Sequence, residues 1–138
     1  MVTGTGSLSC RHIVHVVSPV NLQACQQAVR AAIKAAASKE ITSLAFPPVG
    51  GGGGNLPLDQ VVGTIVDTLA NSANQNDIGG LTLIRLIGYK DFESYAFEIA
   101  LKQAMHGKLN IAPANAVSLQ SQTNCCCLSY NDIVSNYS

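Results

Sequence analysis

The chain has 138 residues, enough for one domain and short for two. A hydrophobic content of 47% excludes a disordered chain. Eight acidic residues balance eight basic ones, which leaves no basic stripe for a phosphate backbone, so no nucleic-acid partner is expected.

From Arg11 to Val17 the chain reads as a strand: Ile13, Val14, Val16 and Val17 are β-branched, and Ser18-Pro19 ends the run. The small residues before it, Met1 to Ser9, read as a loop. His12 and His15 are an odd number of residues apart, on opposite strand faces, so they do not converge on one ion. Each reads as a hydrogen-bonded structural histidine.

Asn21 is the expected N-cap of a helix from Leu22 to about Ser38, with Leu22, Cys25, Val29, Ile33 and Ala36 on one face. Cys25 lies on that apolar stripe and reads as a small core residue, not a nucleophile. A second strand runs from Ile41 to Phe46. It leads into Pro47-Pro48-Val49, the consecutive glycines Gly50, Gly51, Gly52, Gly53 and Gly54, and then Asn55-Leu56-Pro57.

The next helix starts near Leu58 and carries Val61, Val62, Ile65 and Leu69 on one side, with Asp59 in its first turn. Backbone without Cβ takes up positive φ and approaches a ligand closely. Between a strand end and a helix N-terminus, such a loop suits an anion, above all a phosphate. The alternative is a flexible glycine linker, which the apolar elements directly on both sides disfavour.

Leu81 to Ile87 is a third strand, so continuously apolar that a central position covered on both faces is expected. After Gly88-Tyr89-Lys90, Asp91 caps a third helix whose buried side is expected to hold Phe92, Tyr95, Ala96 and Ile99. Alternating strands and helices imply a parallel sheet between helical layers, with ligands bound beyond the carboxyl ends of the strands. The glycine loop and Tyr89 both fall on that rim.

Residues 108–138 lack a sustained period and read as a polar, flexible tail with at most short local structure, its Cys125-Cys126-Cys127 triplet a chance run. The five cysteines match neither a zinc spacing nor a disulfide framework. No apolar run spans a bilayer and no signal-peptide core is present, so the reading is an intracellular protein, cytoplasmic or nuclear, without a membrane span. No catalytic or metal-ligating set is visible, and no cofactor is expected.

Two glycine motifs fail. A Walker loop needs Gly-Lys-Ser/Thr where Asn55-Leu56-Pro57 stands, and Asn55 occupies the third glycine of a Rossmann fingerprint.

Three segments in order resemble the macrodomain family of ADP-ribose-binding modules. Gly6-Ser7-Leu8-Ser9-Cys10-Arg11-His12-Ile13-Val14-His15-Val16-Val17-Ser18-Pro19 is similar to the family's "G-x-L-x-C/A-K-x-I-I-H-x-V-G-P" strand. Ser43 to Gly50 is similar to "S-I-A-F-P-A-I-G", and Leu83 to Phe97 to the last strand and helix. The flavour is that of macrodomains in poly(ADP-ribose) polymerase-like proteins.

The resemblance implies a three-layer α/β/α fold with a mixed, mostly parallel sheet, present only in its second half over residues 1–107. It also implies ADP-ribose or ADP-ribosylated protein as partner. Val49, Gly50, Gly51, Gly52, Gly53, Gly54 and Asn55 would face the diphosphate and distal ribose, and Tyr89 the adenine. Gly51 stands where the family offers a hydroxyl, Gly54 where many members have an aromatic, and Asn55 where they have glycine. The resemblance thus favours a binding module over an ADP-ribosyl hydrolase. A ligand-free half-domain, self-associating or completed by a partner that supplies the missing half, is the further alternative.

Overall fold

The computed structural model describes residues 1–7, 10–51, 56–105 and 125–129, the last five as backbone only. The elements are β1 (Val2–Thr3), β2 (His12–Val16), α1 (Leu22–Ser38), β3 (Ser43–Phe46), α2 (Leu58–Asn74), β4 (Leu83–Leu86), α3 (Asp91–Met105) and β5 (Cys125–Ser129).

Local chemistry sets the helix ends. Asn21, in extended conformation, accepts the Ala24 N–H on its side-chain oxygen at 2.7 Å and starts α1 as expected. Both α1 and α2 stop in a Schellman arrangement: Ile41 N–H reaches back to Ala36 and Glu40 N–H to Ala37, then Asp77 to Ser72 and Asn76 to Ala73. The left-handed position is held by Glu40 (φ 54°) and Asn76 (φ 53°) where glycine is commonest.

The strands form one sheet in the order β1-β2-β5-β3-β4. β1 runs antiparallel to β2; every other pairing is parallel. α1 packs on α2 and α2 on α3. Helices on opposite faces of a sheet could not touch in this way, because face-to-face packing already needs about 10 Å per layer. The three described helices therefore form a single layer, where helical layers on both faces of the sheet were expected, and the core lies between it and the sheet. Val14, Leu44 and Phe46 enter this core from the strands, Cys25, Val29 and Ile33 from α1, and Val61, Val62 and Ile65 from α2. The expected stripes of α1 and α2 are thus the buried ones. No helix among the described residues is long and apolar enough to cross a membrane.

Four further expectations are corrected. Val2–Thr3, read as loop, pairs with β2. β4 is an edge strand among the described residues, paired only with β3, and Leu83 is 42% exposed. Among the strands whose side chains are described, the fully buried one is β3, all four of whose residues are covered.

The inward face of α3 is also different: Phe97 is buried with Ala96, Ala100, Leu101 and Ala104 against the core, while Phe92, Tyr95 and Ile99 are exposed. Small side chains let α3 approach α2 closely, and the larger aromatic stripe is turned out. Lastly, within the stretch read as tail, Cys125–Ser129 forms β5 between β2 and β3, aligning His12 with Cys125 and Val16 with Ser129. Pairing with two strands over a hundred residues upstream in one case leaves no local signature. The rest of residues 108–138 lies outside the described residues.

Candidate functional site

β2, β3 and β4 point the same way, so their carboxyl ends share one rim. Besides the end of β5, the connections that leave it are Ser18-Pro19 after β2, the glycine loop after β3, and Gly88-Tyr89-Lys90 after β4. Ile87 N–H donates to the Phe46 carbonyl at 2.8 Å, which holds the last two exits side by side.

The loop begins under tight constraint. Gly50 has φ +92°, and an added Cβ there would stand 2.6 Å from Pro19 Cγ and 3.6 Å from Leu56 Cδ1. Glycine is thus required twice at this position, for its dihedral and for the approach of the β2 exit. At Gly51 an added Cβ would meet Leu58 Cδ1 and the Pro48 carbonyl, each at 3.2 Å. The two ends of the loop, Gly50-Gly51 and Leu56-Leu58, therefore lie against each other.

Val49 is a core residue, 1% exposed, and its carbonyl accepts the Cys25 thiol at 3.8 Å. Burial pushes that thiol up to about 11, so Cys25 is a protonated core residue without nucleophilic character, as the sequence reading has it, and it also supports the loop from beneath.

Two of the expected donors are already engaged. Val49 N–H donates to the Pro47 carbonyl at 2.8 Å and Gly51 N–H to the Pro48 carbonyl at 2.9 Å. Gly50 N–H makes no such backbone bond among the described residues. Gly52, Gly53, Gly54 and Asn55 lie outside the described residues. The N-cap of α2 is Pro57, which gives no side-chain hydrogen bond to the first turn. The first amides of α2 therefore lack a side-chain partner from the cap. Asp59 adds a negative charge to that same turn.

Tyr89 is on the rim and 88% exposed, its ring in solvent. Its backbone is fixed: Glu93 Oε2 accepts from Tyr89 N–H at 2.8 Å and from Lys90 N–H at 3.0 Å. This is the carboxylate half of a capping box, and it sets the start of α3. Pro19, Cys25 and Glu93 support the rim; the sequence showed Cys25 as buried but not its place under the loop, and Glu93 had a readable signal, a glutamate three residues into a helix start.

The histidines stand apart from the rim exits. His15 Nε2 meets Thr3 Oγ1 at 2.8 Å, the structural role expected. His12 differs, since its Nδ1 is buried without a hydrogen-bond partner among the described residues. Among the described residues no three His, Cys, Asp or Glu side chains gather in a metal-binding group. A surface cavity of about 270 Å³ between α1 and α2 is lined by Leu22, Gln23, Gln26, Thr64, Asp67 and Thr68. None of these residues belongs to the glycine loop or to the Tyr89 turn, and the Thr68 hydroxyl is spent on the Thr64 carbonyl.

The family model described as Macro domain matches residues 1–65. Among solved structures, a mutant of the Oceanobacillus iheyensis macrodomain superposes with a TM-score of 0.71 at 19% identity, covering 78% of this chain and 60% of its own. The same organism's macrodomain with ADP gives 0.64 at 19% identity, over 71% and 54% of the two chains. Another mutant, with ADPR, gives 0.70 at 19% identity, over 77% and 59%. Among curated proteins none matches significantly. The fold is macrodomain-like α/β, and this chain spans 54–60% of the length of these neighbours.

Proposed function

We propose that the chain is a divergent macrodomain module, corresponding to the second half of the neighbours, that binds ADP-ribose, free or attached to protein, on the strand-end rim. The observation that carries this reading is the start of the glycine loop. Gly50 sits at a positive φ that only glycine adopts freely, wedged between Pro19 and Leu56, at the start of the loop that leads to a helix without a side-chain cap. A linker would have no need of that wedge. In this reading Gly50 through Asn55 lie along the diphosphate and distal ribose, with Gly50 N–H the first donor, and Tyr89 is placed to stack on the adenine.

The titles of two neighbours name ADP and ADPR as bound, which supports the ligand class. Val49 and Gly51 shape the loop, their N–H groups spent on the Pro47 and Pro48 carbonyls. The polymerase-like flavour and a cytoplasmic or nuclear setting belong to the same reading.

The test is calorimetric titration with ADP-ribose, using AMP and ribose 5-phosphate as controls. Gly52→Glu brings a side chain and a like charge to the diphosphate, so affinity should fall more than about tenfold, or about 1.4 kcal/mol. Tyr89→Ala should cost on the order of 1 kcal/mol. Equal binding by Gly52→Glu would place the ligand elsewhere. No binding by the wild type, alone or mixed with the half that the neighbours have in addition, would end the reading.

A further inference from the structure

α3 has two apolar faces. Phe97 is 2% exposed against the core, and Tyr95 and Ile99, two residues to either side, lie about 200° around the helix from it. The stripe Phe92, Tyr95, Ile99, Lys102 has the 3-4-3 spacing of a helix-packing seam. Its apolar members are 58%, 64% and 40% exposed. Two aromatics and an isoleucine in register on an outward face are more than scattered surface apolar residues.

The charges at the ends of the seam indicate what covers it. Asp91 and Glu93 stand in the first turn, where they outnumber Lys90, whose ammonium lies 5.7 Å from the centroid of the Phe92 ring, and Lys102 stands in the last. When two copies of α3 are set antiparallel about a two-fold axis at Phe97, Tyr95 of each copy meets Ile99 of the other. Lys102 of each then lies beside Asp91 and Phe92 of the other. A parallel arrangement would stack Lys102 on Lys102 and Asp91 on Asp91.

We infer that this face is an isologous interface between two copies of the chain, packed antiparallel along α3. The present partner of Lys102 is Glu98, 3.0 Å away on the same helix, with both side chains more than half exposed. Such a pair exchanges readily for an intermolecular one. Antiparallel helices also set opposite dipole ends together. The inference is independent of the ligand reading, since no residue of the seam belongs to the glycine loop or its supports.

The experiment is sedimentation equilibrium of the full chain over a wide concentration range, with circular dichroism to verify that each variant is folded. The wild type should give a monomer–dimer equilibrium. Ile99→Lys should raise the dissociation constant by more than about tenfold, and so should Lys102→Glu alone. Combining Lys102→Glu with Asp91→Lys should restore most of the association, a recovery that loss of apolar area alone cannot produce. A wild type that stays monomeric throughout would overturn the inference, as would a folded Ile99→Lys variant that dimerises equally well. Failure of the charge exchange to recover association would overturn the antiparallel arrangement.

Discussion

Gly50→Ala offers a direct probe of how the rim is built. Alanine at φ +92° suffers the left-handed penalty of about 1–2 kcal/mol. Its Cβ would stand 2.6 Å from Pro19 Cγ and 3.3 Å from Pro19 Cδ, well inside van der Waals contact. Proline is a rigid ring on a fixed backbone, so relief requires the β2 exit to shift, and overpacking of this kind costs about 1–3 kcal/mol.

The sum is a loss of about 2–5 kcal/mol, a large share of the stability of a domain this size. It is read by urea unfolding followed by far-ultraviolet circular dichroism. Gly63→Ala is the matched control. Gly63 lies inside α2 with nothing within 4 Å of its added Cβ, so that variant should gain about 1 kcal/mol from helix propensity. In a Pro19→Ala background the crowding disappears and only the dihedral share remains, so the two sites should couple by about 1–3 kcal/mol. A Gly50→Ala protein within about 0.5 kcal/mol of the wild type would refute the wedge. Absence of coupling to Pro19 would leave the dihedral as the only constraint.

Two further outcomes are expected. Burial raises the Cys25 thiol from 9.0 to about 11, so the unfolded chain loses this proton first. The associated stability is complete below pH 9 and falls by about 2–3 kcal/mol as pH rises to 11. Urea midpoints of the wild type and Cys25→Ala across that window check this, and a parallel decline in both proteins would contradict it. Removing the carboxylate in Glu93→Ala should cost about 1–2 kcal/mol and speed amide hydrogen exchange at Tyr89 and Lys90, with Ile87 still protected by its bond to Phe46. Glu93→Gln keeps an acceptor oxygen and should recover most of the protection; unchanged exchange in Glu93→Ala would show that the cap does not fix this turn.

What the sequence by itself determined is local. The α1 cap at Asn21 and the buried stripe Cys25–Val29–Ile33–Ala36 follow from hydrogen bonding and a 3.6-residue period, both of which act within a few neighbours. The β3–glycine–α2 order was equally readable, because glycine and proline act through their own dihedrals. The resemblance carried the fold further than periodicity could.

Other features only the tertiary structure decided. Helix α3 offers two apolar faces of similar merit, and the choice between them rests on the close approach of α2, which favours Ala96, Ala100 and Ala104 over Phe92 and Tyr95. The continuous apolar run of β4 satisfies a central strand and an edge strand alike until its neighbours are known. Cys125–Ser129 finds its place by pairing with strands far away in sequence, an interaction that no window along the chain contains. The rim follows the same rule. Glycines at 50 to 54 announce a loop, but that Gly50 is wedged by Pro19, and that Val49 and Gly51 have spent their amides on the two prolines before them, depends on how the exits of β2 and β3, strands separated by β5 in the sheet, are brought together in three dimensions.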